Sequence, residues 1–391
     1  MIRKLIPQTI INIGKHLPEA IVANIKYGFP GKKLKVIGVT GTDGKTTTVN
    51  MIYKILKEAE KKVSMVSTIN AEVAGKSYDT GFHVTSPRSS LIQHFLFDSV
   101  KNGDEFFVLE VTSHALDQFR VLGIPFEVGV ITNVTHEHLD YHQNFANYLQ
   151  AKSKLISNSK YAILNADDPS FKKLQNQTTG KVISFGEQTN ADVNPSNLSL
   201  RLNIPGDYNI LNALAAAAVA KIFDINEAKI KHSLESFVSL PGRMEKVENN
   251  KGLTIVVDFA HTPNALEKAL LTLKKQTKGK LISVFGCASE RDTEKRPIMG
   301  QISTDLADIT ILTDEDPRFE DSLKIISEIA DGKEGFIKEP NRKEAIELAI
   351  SLAKKGDTIG IFGKGHERSM SYQGCEISWS DTDTVRKALK N

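Results

Sequence analysis

The chain has 391 residues, 40% of them hydrophobic and 25% charged, with a net charge of +3. That length exceeds one ordinary core of ~100–200 residues and predicts two domains plus an appendage, while the near-balanced charge excludes a strong electrostatic bias toward nucleic acid or membrane. Cys287 and Cys375 are the only cysteines, too few for a four-cysteine zinc ribbon or a disulfide framework, which fits a reducing cytoplasm.

Residues 1–34 form an arm. Met1 to Pro30 is mildly amphipathic, with Lys4, Lys15 and Lys26, and lacks the apolar core and small-residue cleavage site of a signal peptide. No apolar run reaches the ~18 residues of a transmembrane helix. The arm is expected to be helical and packed on the body, a weak contact with a membrane surface or partner being the alternative. Lys35–Val39 then reads as a strand, followed by a glycine-rich turn and a helix from Thr46 to Ala59. Phe106–Val111 and Val128–Asn133 are further strands; after Ala162–Asn165, Lys172–Ser199 is polar and irregular, and Tyr208–Ile222 is an alanine-rich helix. Pro241–Gly242 marks a boundary. Beyond it Leu253–Phe259, Leu281–Phe285, Ile309–Thr313 and Thr358–Phe362 are strands separated by helical runs. The alternation predicts an α/β fold: a central P-loop-type doubly wound ATPase domain over 35–240 and a smaller Rossmann-like α/β domain over 241–391, with chemistry at the strand C-termini.

The first strand runs into Thr40-Gly41-Thr42-Asp43-Gly44-Lys45-Thr46-Thr47. Glycines let such a backbone turn tightly and direct several N–H groups onto one anion, and the helix that follows places its positive end there. Lys45 supplies a mobile positive charge for the β- and γ-phosphates of ATP, and Thr46 a hydroxyl for Mg²⁺. The strict spacing asks for glycine at position 39, which is valine. Glu110, at the end of the next apolar strand, is a hard oxygen donor suited to the same Mg²⁺. His136-Glu137-His138-Leu139-Asp140-Tyr141-His142 carries three histidines in seven residues, which leaves zinc open as an alternative.

The octapeptide resembles the T-G-T-N-G-K-T-T loop of the Mur ligase family, with Asp43 where asparagine is usual. The likeness continues through Glu110-Val111-Thr112-Ser113-His114 and His138-Leu139-Asp140-Tyr141-His142 to the end of the chain. These ligases phosphorylate a carboxylate with ATP and let an amino acid displace the phosphate. The resemblance implies that Glu110 and His138 are Mg²⁺ ligands, and that Ser86 with Thr85, Thr112, Gln118 and Arg120 contact a muramoyl-peptide acceptor. It implies a carbamylated lysine at Lys152, an anion able to hold a second Mg²⁺, against the plain reading of a solvated helix lysine. Asn209 and Asn212 match the adenine-side helix; Arg243 lies in the matching Gly-Arg-Met-Glu hinge, and Asp258 in the Asp-Tyr-Ala-His segment. With Gly41, Thr42, Asp43, Gly44, Lys45, Thr46 and Thr47 they complete the implied ATP site.

The C-terminal domain resembles the branch that adds a diamino acid as third residue of the stem peptide. Arg291, Asp316, Arg318, Gly363 and Glu367 fall at its amino-acid site. Arg318 would grip the distal carboxylate of meso-diaminopimelate in a two-pronged bond, a carboxylate that L-lysine lacks. Glu315-Asp316 stands where Asp-Asn is usual, adding negative charge beside Arg318, and Ala288 and Ser289 replace two glycines.

Only about 34 residues precede the first strand, too few for the uridine-diphosphate-binding domain of full-length relatives. The expectation is weak uridine diphosphate recognition, recognition supplied by another surface or chain, or an acceptor without that group. A folylpolyglutamate-type ligase is disfavoured by the muramoyl-type segments, and the cell-wall amidating subunit by the cysteine count. A non-catalytic nucleotide-binding scaffold is disfavoured because Lys45, Glu110, His138 and Lys152 are all retained.

Overall fold

Lys35–Thr40 (β1) has one exposed residue at its start and is buried from Val36 onward. A β-branched run buried on both faces is a central parallel strand, and β1 lies between Phe106–Glu110 (β5) and Phe126–Ile131 (β6), parallel to both. The remaining strands of this sheet are Val63–Val66 (β2), Asn70–Val73 (β3), Lys76–Asp79 (β4), Tyr161–Asn165 (β7) and Lys181–Phe185 (β8). Their order is β4-β3-β2-β5-β1-β6-β7-β8. Only β3 and β4 run antiparallel to their neighbours. The chain winds to one side of β1 through β2, returns through β5 and crosses to the other side through β6. This reversal sets the C-terminal ends of β1, β5 and β6 together, where such sheets bind ligands.

The computed structural model describes residues 7–79, 86–135, 137–188, 190–289 and 292–390. The chain divides into two compact units, Met1–Asn203 with Tyr208–Phe237, and Ile204–Asp207 with Val238–Asn391. In the first, helix Lys45–Glu58 packs on helix Tyr208–Ile222, whose alanines from 213 to 220 are all buried. The arm is helical over Gln8–Ile11 and Leu17–Tyr27, with a π-helical turn at Asn12–His16, and packs on helix Ser89–Asn102. It ends at Gly28, whose left-handed φ of 68° supplies the C-cap. Among the described residues no helix is long and apolar enough to cross a membrane. The segment expected to be irregular from Lys172 to Ser199 in fact contains β8. This short strand has an exposed first residue and intermediate second and third residues, so its polar surroundings hide it.

In the second unit the strands are Glu245–Val247 (β9), Thr254–Asp258 (β10), Leu281–Phe285 (β11), Ile309–Leu312 (β12), Phe336–Lys338 (β13) and Thr358–Phe362 (β14). Their order is β13-β12-β11-β14-β10-β9, parallel apart from β9. Arg342 and Asp381 are fully buried and paired, Nε to Oδ1 at 2.8 Å and Nη2 to Oδ2 at 2.7 Å. The same guanidinium donates to the carbonyls of Asp314 at 3.1 Å and Phe362 at 2.8 Å, tying together the loops that leave β12 and β14. Breaking a buried pair strands one charge in a low dielectric. Asp381→Ala is therefore expected to lower the unfolding free energy by ~3–5 kcal/mol, measured by denaturant titration.

Candidate active site

In the first unit the loop after β1 is shaped by close approach. Gly41 has φ 153°, and a Cβ there would stand 1.8 Å from Thr132 Oγ1; Gly44 has φ 80°, and a Cβ would stand 2.2 Å from Asn212 Oδ1. The backbone of Asp43 is clamped by the segment after β6: its N–H donates to Asn133 Oδ1 at 2.9 Å, and its carbonyl accepts from Thr132 Oγ1 at 2.7 Å. Thr42 N–H donates to the Asn133 carbonyl at 2.9 Å. Lys45, Thr46 and Thr47 open the following helix, so its N-terminal N–H groups face the loop. Asn212 donates to Asn209 Oδ1 at 2.9 Å, and both are buried. The structure thus brings Asn212 against the loop glycine itself.

Glu110, at the C-terminal end of β5, is 1% exposed. Its carboxylate accepts from the Thr46 hydroxyl at 3.0 Å and from the Thr68 N–H at 2.8 Å. Both donors are neutral, so this buried carboxyl group stands next to the phosphate loop with no cationic partner among the described residues. That donor set, a carboxylate and a hydroxyl, fits a hard cation such as Mg²⁺. Among the described residues no group of three His, Cys, Asp or Glu side chains is placed to hold a metal.

Lys152 is 1% exposed on helix Phe145–Ser157. Its Nζ donates to the Gly41 carbonyl at 2.6 Å. Lys45 Nζ donates to the same carbonyl at 3.1 Å and to that of Thr42 at 2.7 Å. Burial, and then the charge of Lys45, push the Lys152 amine well below the usual lysine range. Lys152 Nζ lies 4.4 Å from the ring centre of Tyr148, whose hydroxyl bonds Thr42 Oγ1 at 3.1 Å. His138 has a left-handed φ of 56°, and its ring meets His114 edge-on at 4.9 Å. His142, 3.0 Å from Ser113 Oγ, is pushed down to about 4 by burial and stays neutral.

Ser86, Thr112, Gln118 and Arg120 converge beside this site. Ser86 Oγ donates to the Glu110 carbonyl at 3.2 Å and accepts the Thr112 N–H at 3.0 Å. Arg120 donates to the Ser86 carbonyl at 2.6 Å and to Gln118 Oε1 at 3.0 and 2.6 Å. Thr85 and Arg291 lie outside the described residues.

In the second unit the expected residues gather at the C-terminal edge of the sheet. Asp258, buried at the end of β10, accepts the N–H groups of Met244 at 2.6 Å and Ala260 at 2.8 Å, and burial raises its pKa. The Arg243 guanidinium lies 4.5 Å over the Phe259 ring. Asp316 and Arg318, either side of Pro317, both have left-handed φ, 46° and 48°. Aspartate tolerates that region; arginine rarely adopts it, and strain of this kind concentrates at functional sites. Asp316 Oδ1 accepts Lys364 Nζ at 2.8 Å and the Ser371 N–H at 3.0 Å. Lys364, fully buried, also pairs with Glu367 at 2.5 Å. Burial works against charge on Lys364, but Glu367 and Asp316 outweigh it and raise its pKa. Lys364 thus stands between two carboxylates and offsets part of the negative charge that Asp316 brings beside Arg318. Gly363, φ 105°, has no room for a Cβ, which would meet Glu315 Oε2 at 2.2 Å.

Sequence reasoning assigned no role in these sites to Thr68 or Lys364. Thr68 acts through its backbone N–H, which leaves no residue-type signal. Lys364 sits between two glycines after a buried strand, a placement that was available as a hint.

The family model for the Mur ligase middle domain matches residues 39–220, and that for the Mur ligase, glutamate ligase domain matches residues 242–365. The chain is 38% identical to UDP-N-acetylmuramoyl-L-alanyl-D-glutamate–2,6-diaminopimelate ligase 1 of Clostridium acetobutylicum, over 99% of this chain and 85% of that protein. It is 39% identical to the 2,6-diaminopimelate ligase of the same name from Aquifex aeolicus, over 93% and 79%. A solved structure of a UDP-N-acetylmuramoyl-L-alanyl-D-glutamate–2,6-diaminopimelate ligase superposes with a TM-score of 0.62 at 29% identity, covering 91% of this chain and 78% of that one.

Proposed function

The chain belongs to the Mur ligase family of ATP-dependent amide-forming ligases, and we propose that it joins meso-diaminopimelate to the D-glutamate carboxylate of UDP-muramoyl-L-Ala-D-Glu in the cytoplasm. ATP phosphorylates that carboxylate, and an amine of the diamino acid attacks the acyl phosphate and expels phosphate. The N–H groups from Gly41 to Thr47 and the Lys45 ammonium hold the β- and γ-phosphates, with Asn209, Asn212, Arg243 and Asp258 shaping the rest of the nucleotide site. Thr46, Glu110, His138 and a carbamylated Lys152 would hold Mg²⁺, which when bound neutralises phosphate charge as it builds. Ser86, Thr112, Gln118 and Arg120, with Thr85, orient the acceptor so that its carboxylate meets the γ-phosphate in line.

The observation that carries the choice of diamino acid is the Asp316–Lys364 pair. Lys364 is shared between Asp316 and Glu367, so it offsets part of the charge that Asp316 brings beside Arg318, the side chain suited to a second carboxylate. Relatives named for 2,6-diaminopimelate, at 35–39% identity, support the same choice. Arg291, Gly363 and Glu367 complete the amino-acid site. Arg318→Ala is expected to raise KM for meso-diaminopimelate by roughly 10–100-fold, with KM for ATP unchanged. Equal losses toward ATP and the diamino acid in steady-state assays would remove Arg318 from this role.

A further inference from the structure

The N-terminal arm reaches Arg120 through a chain of hydrogen bonds with fixed polarity. Asn12, 4% exposed, donates Nδ2 to Asp117 Oδ2 at 2.8 Å and to the Asp117 carbonyl at 3.3 Å. The same Oδ2 accepts the Tyr141 hydroxyl at 3.0 Å, while Lys154 holds Oδ1 at 3.0 Å. Burial acts against charge on Asp117, but Lys154, Tyr141 and Asn12 outweigh it and hold the carboxyl below its usual value.

An ionised carboxylate only accepts, so Tyr141 must donate to it. The lone pairs of that hydroxyl then face Gln118, whose Nε2 donates to it at 3.3 Å. With its nitrogen so committed, the Gln118 amide must turn its oxygen toward Arg120, where Oε1 takes both Nε and Nη2. Arg120 Nη1 is left to reach the Ser86 carbonyl at 2.6 Å, and Ser86 touches the strand end that carries Glu110. Arg120 offers only donors and so also requires the Gln118 oxygen; what Asn12 and the Tyr141 hydroxyl add is the anchor that fixes where the amide sits.

We propose that Asn12 and Tyr141 are positioning residues for the acceptor site, fixing where the Gln118 amide sits and through it the direction of the Arg120 guanidinium. This rests on the reading that Gln118 and Arg120 contact the acceptor. Asn24 is the built-in control. It also fastens the arm, donating to the carbonyls of Ala20 and Leu122 at 2.8 Å each, but its side chain takes no part in the chain that leads to Arg120.

The test is steady-state kinetics of the full chain, varying UDP-muramoyl-L-Ala-D-Glu, for Asn12→Ala, Tyr141→Phe, Asn24→Ala and Arg120→Ala. Asn12→Ala and Tyr141→Phe are expected to raise acceptor KM roughly 10-fold, with KM for ATP unchanged. Asn24→Ala should lower Tm with acceptor KM unchanged, and Asn12→Ala added to Gln118→Ala should raise KM no further. Should Asn12→Ala fail to fold, Tyr141→Phe cuts the same chain without touching the arm. An acceptor KM that rises in Arg120→Ala but not in Asn12→Ala or Tyr141→Phe overturns the proposal alone. The same KM rise in Asn24→Ala as in Asn12→Ala overturns it too, reducing the arm to a general support. An unchanged KM in Arg120→Ala overturns the acceptor reading and this proposal together.

Discussion

Lys152→Ala is expected to lower kcat roughly 100–1,000-fold, and short carboxylic acids such as acetate are expected to restore part of it. The reason lies in two amines competing for one carbonyl: Lys45 and Lys152 both donate to Gly41 O, and only Lys152 is fully buried. Desolvation penalises its charged form and favours the neutral amine, the state that adds CO₂. Carbamylation turns a buried neutral group into an anion beside a loop built for phosphates and cations, and that anion would join Glu110 in balancing Mg²⁺. Alanine at this position removes the amine and leaves room for a small carboxylate to take the place of the carbamate. Rescue by an alkylamine but not by acetate would mean that Lys152 acts as an ammonium. No rescue by either, with a lowered Tm, would mean that it acts only in packing. Mass spectrometry of the native protein under ¹³CO₂ reads the modification directly.

Lys45→Ala is expected to lower kcat by a comparable 100–1,000-fold, and Lys45→Arg to recover little of it. Lys45 Nζ rests on the carbonyls of Gly41 and Thr42, a position from which a flexible ammonium can move onto phosphate oxygens. Arginine carries a planar fork that does not fit two carbonyls of one tight loop. Since the loss belongs to charge that develops during phosphoryl transfer, kcat should fall more than ATP affinity. A loss of ATP affinity that accounts for the whole effect would assign Lys45 to ground-state binding. Single-turnover kinetics alongside equilibrium ATP binding separates the two.

The phosphate loop was legible because its chemistry is a backbone property that forces residue type: Gly41 and Gly44 have no room for a Cβ, and Lys45 and Thr46 follow at fixed spacing. Lys152 was legible as a residue but not as a buried one, although Tyr148, Leu149, Leu155 and Ile156 show the apolar face on which it lies. The β3–β4 hairpin escaped because its two-residue turn is Ala74-Gly75, with φ 53° and 75°, and alanine is a poor signal for a turn that needs left-handed residues. The pairing of Asp316 with Lys364 joins residues 48 apart in sequence. No local pattern encodes it.

The measurement that tests the central claim most directly is phosphate release from ATP with UDP-muramoyl-L-Ala-D-Glu, with meso-diaminopimelate and L-lysine supplied in separate assays and Lys45→Ala as control. The account predicts release that requires the acceptor, proceeds with meso-diaminopimelate in preference to L-lysine, and disappears in the control. Release with L-lysine alone, or none that depends on either amino acid, would contradict it.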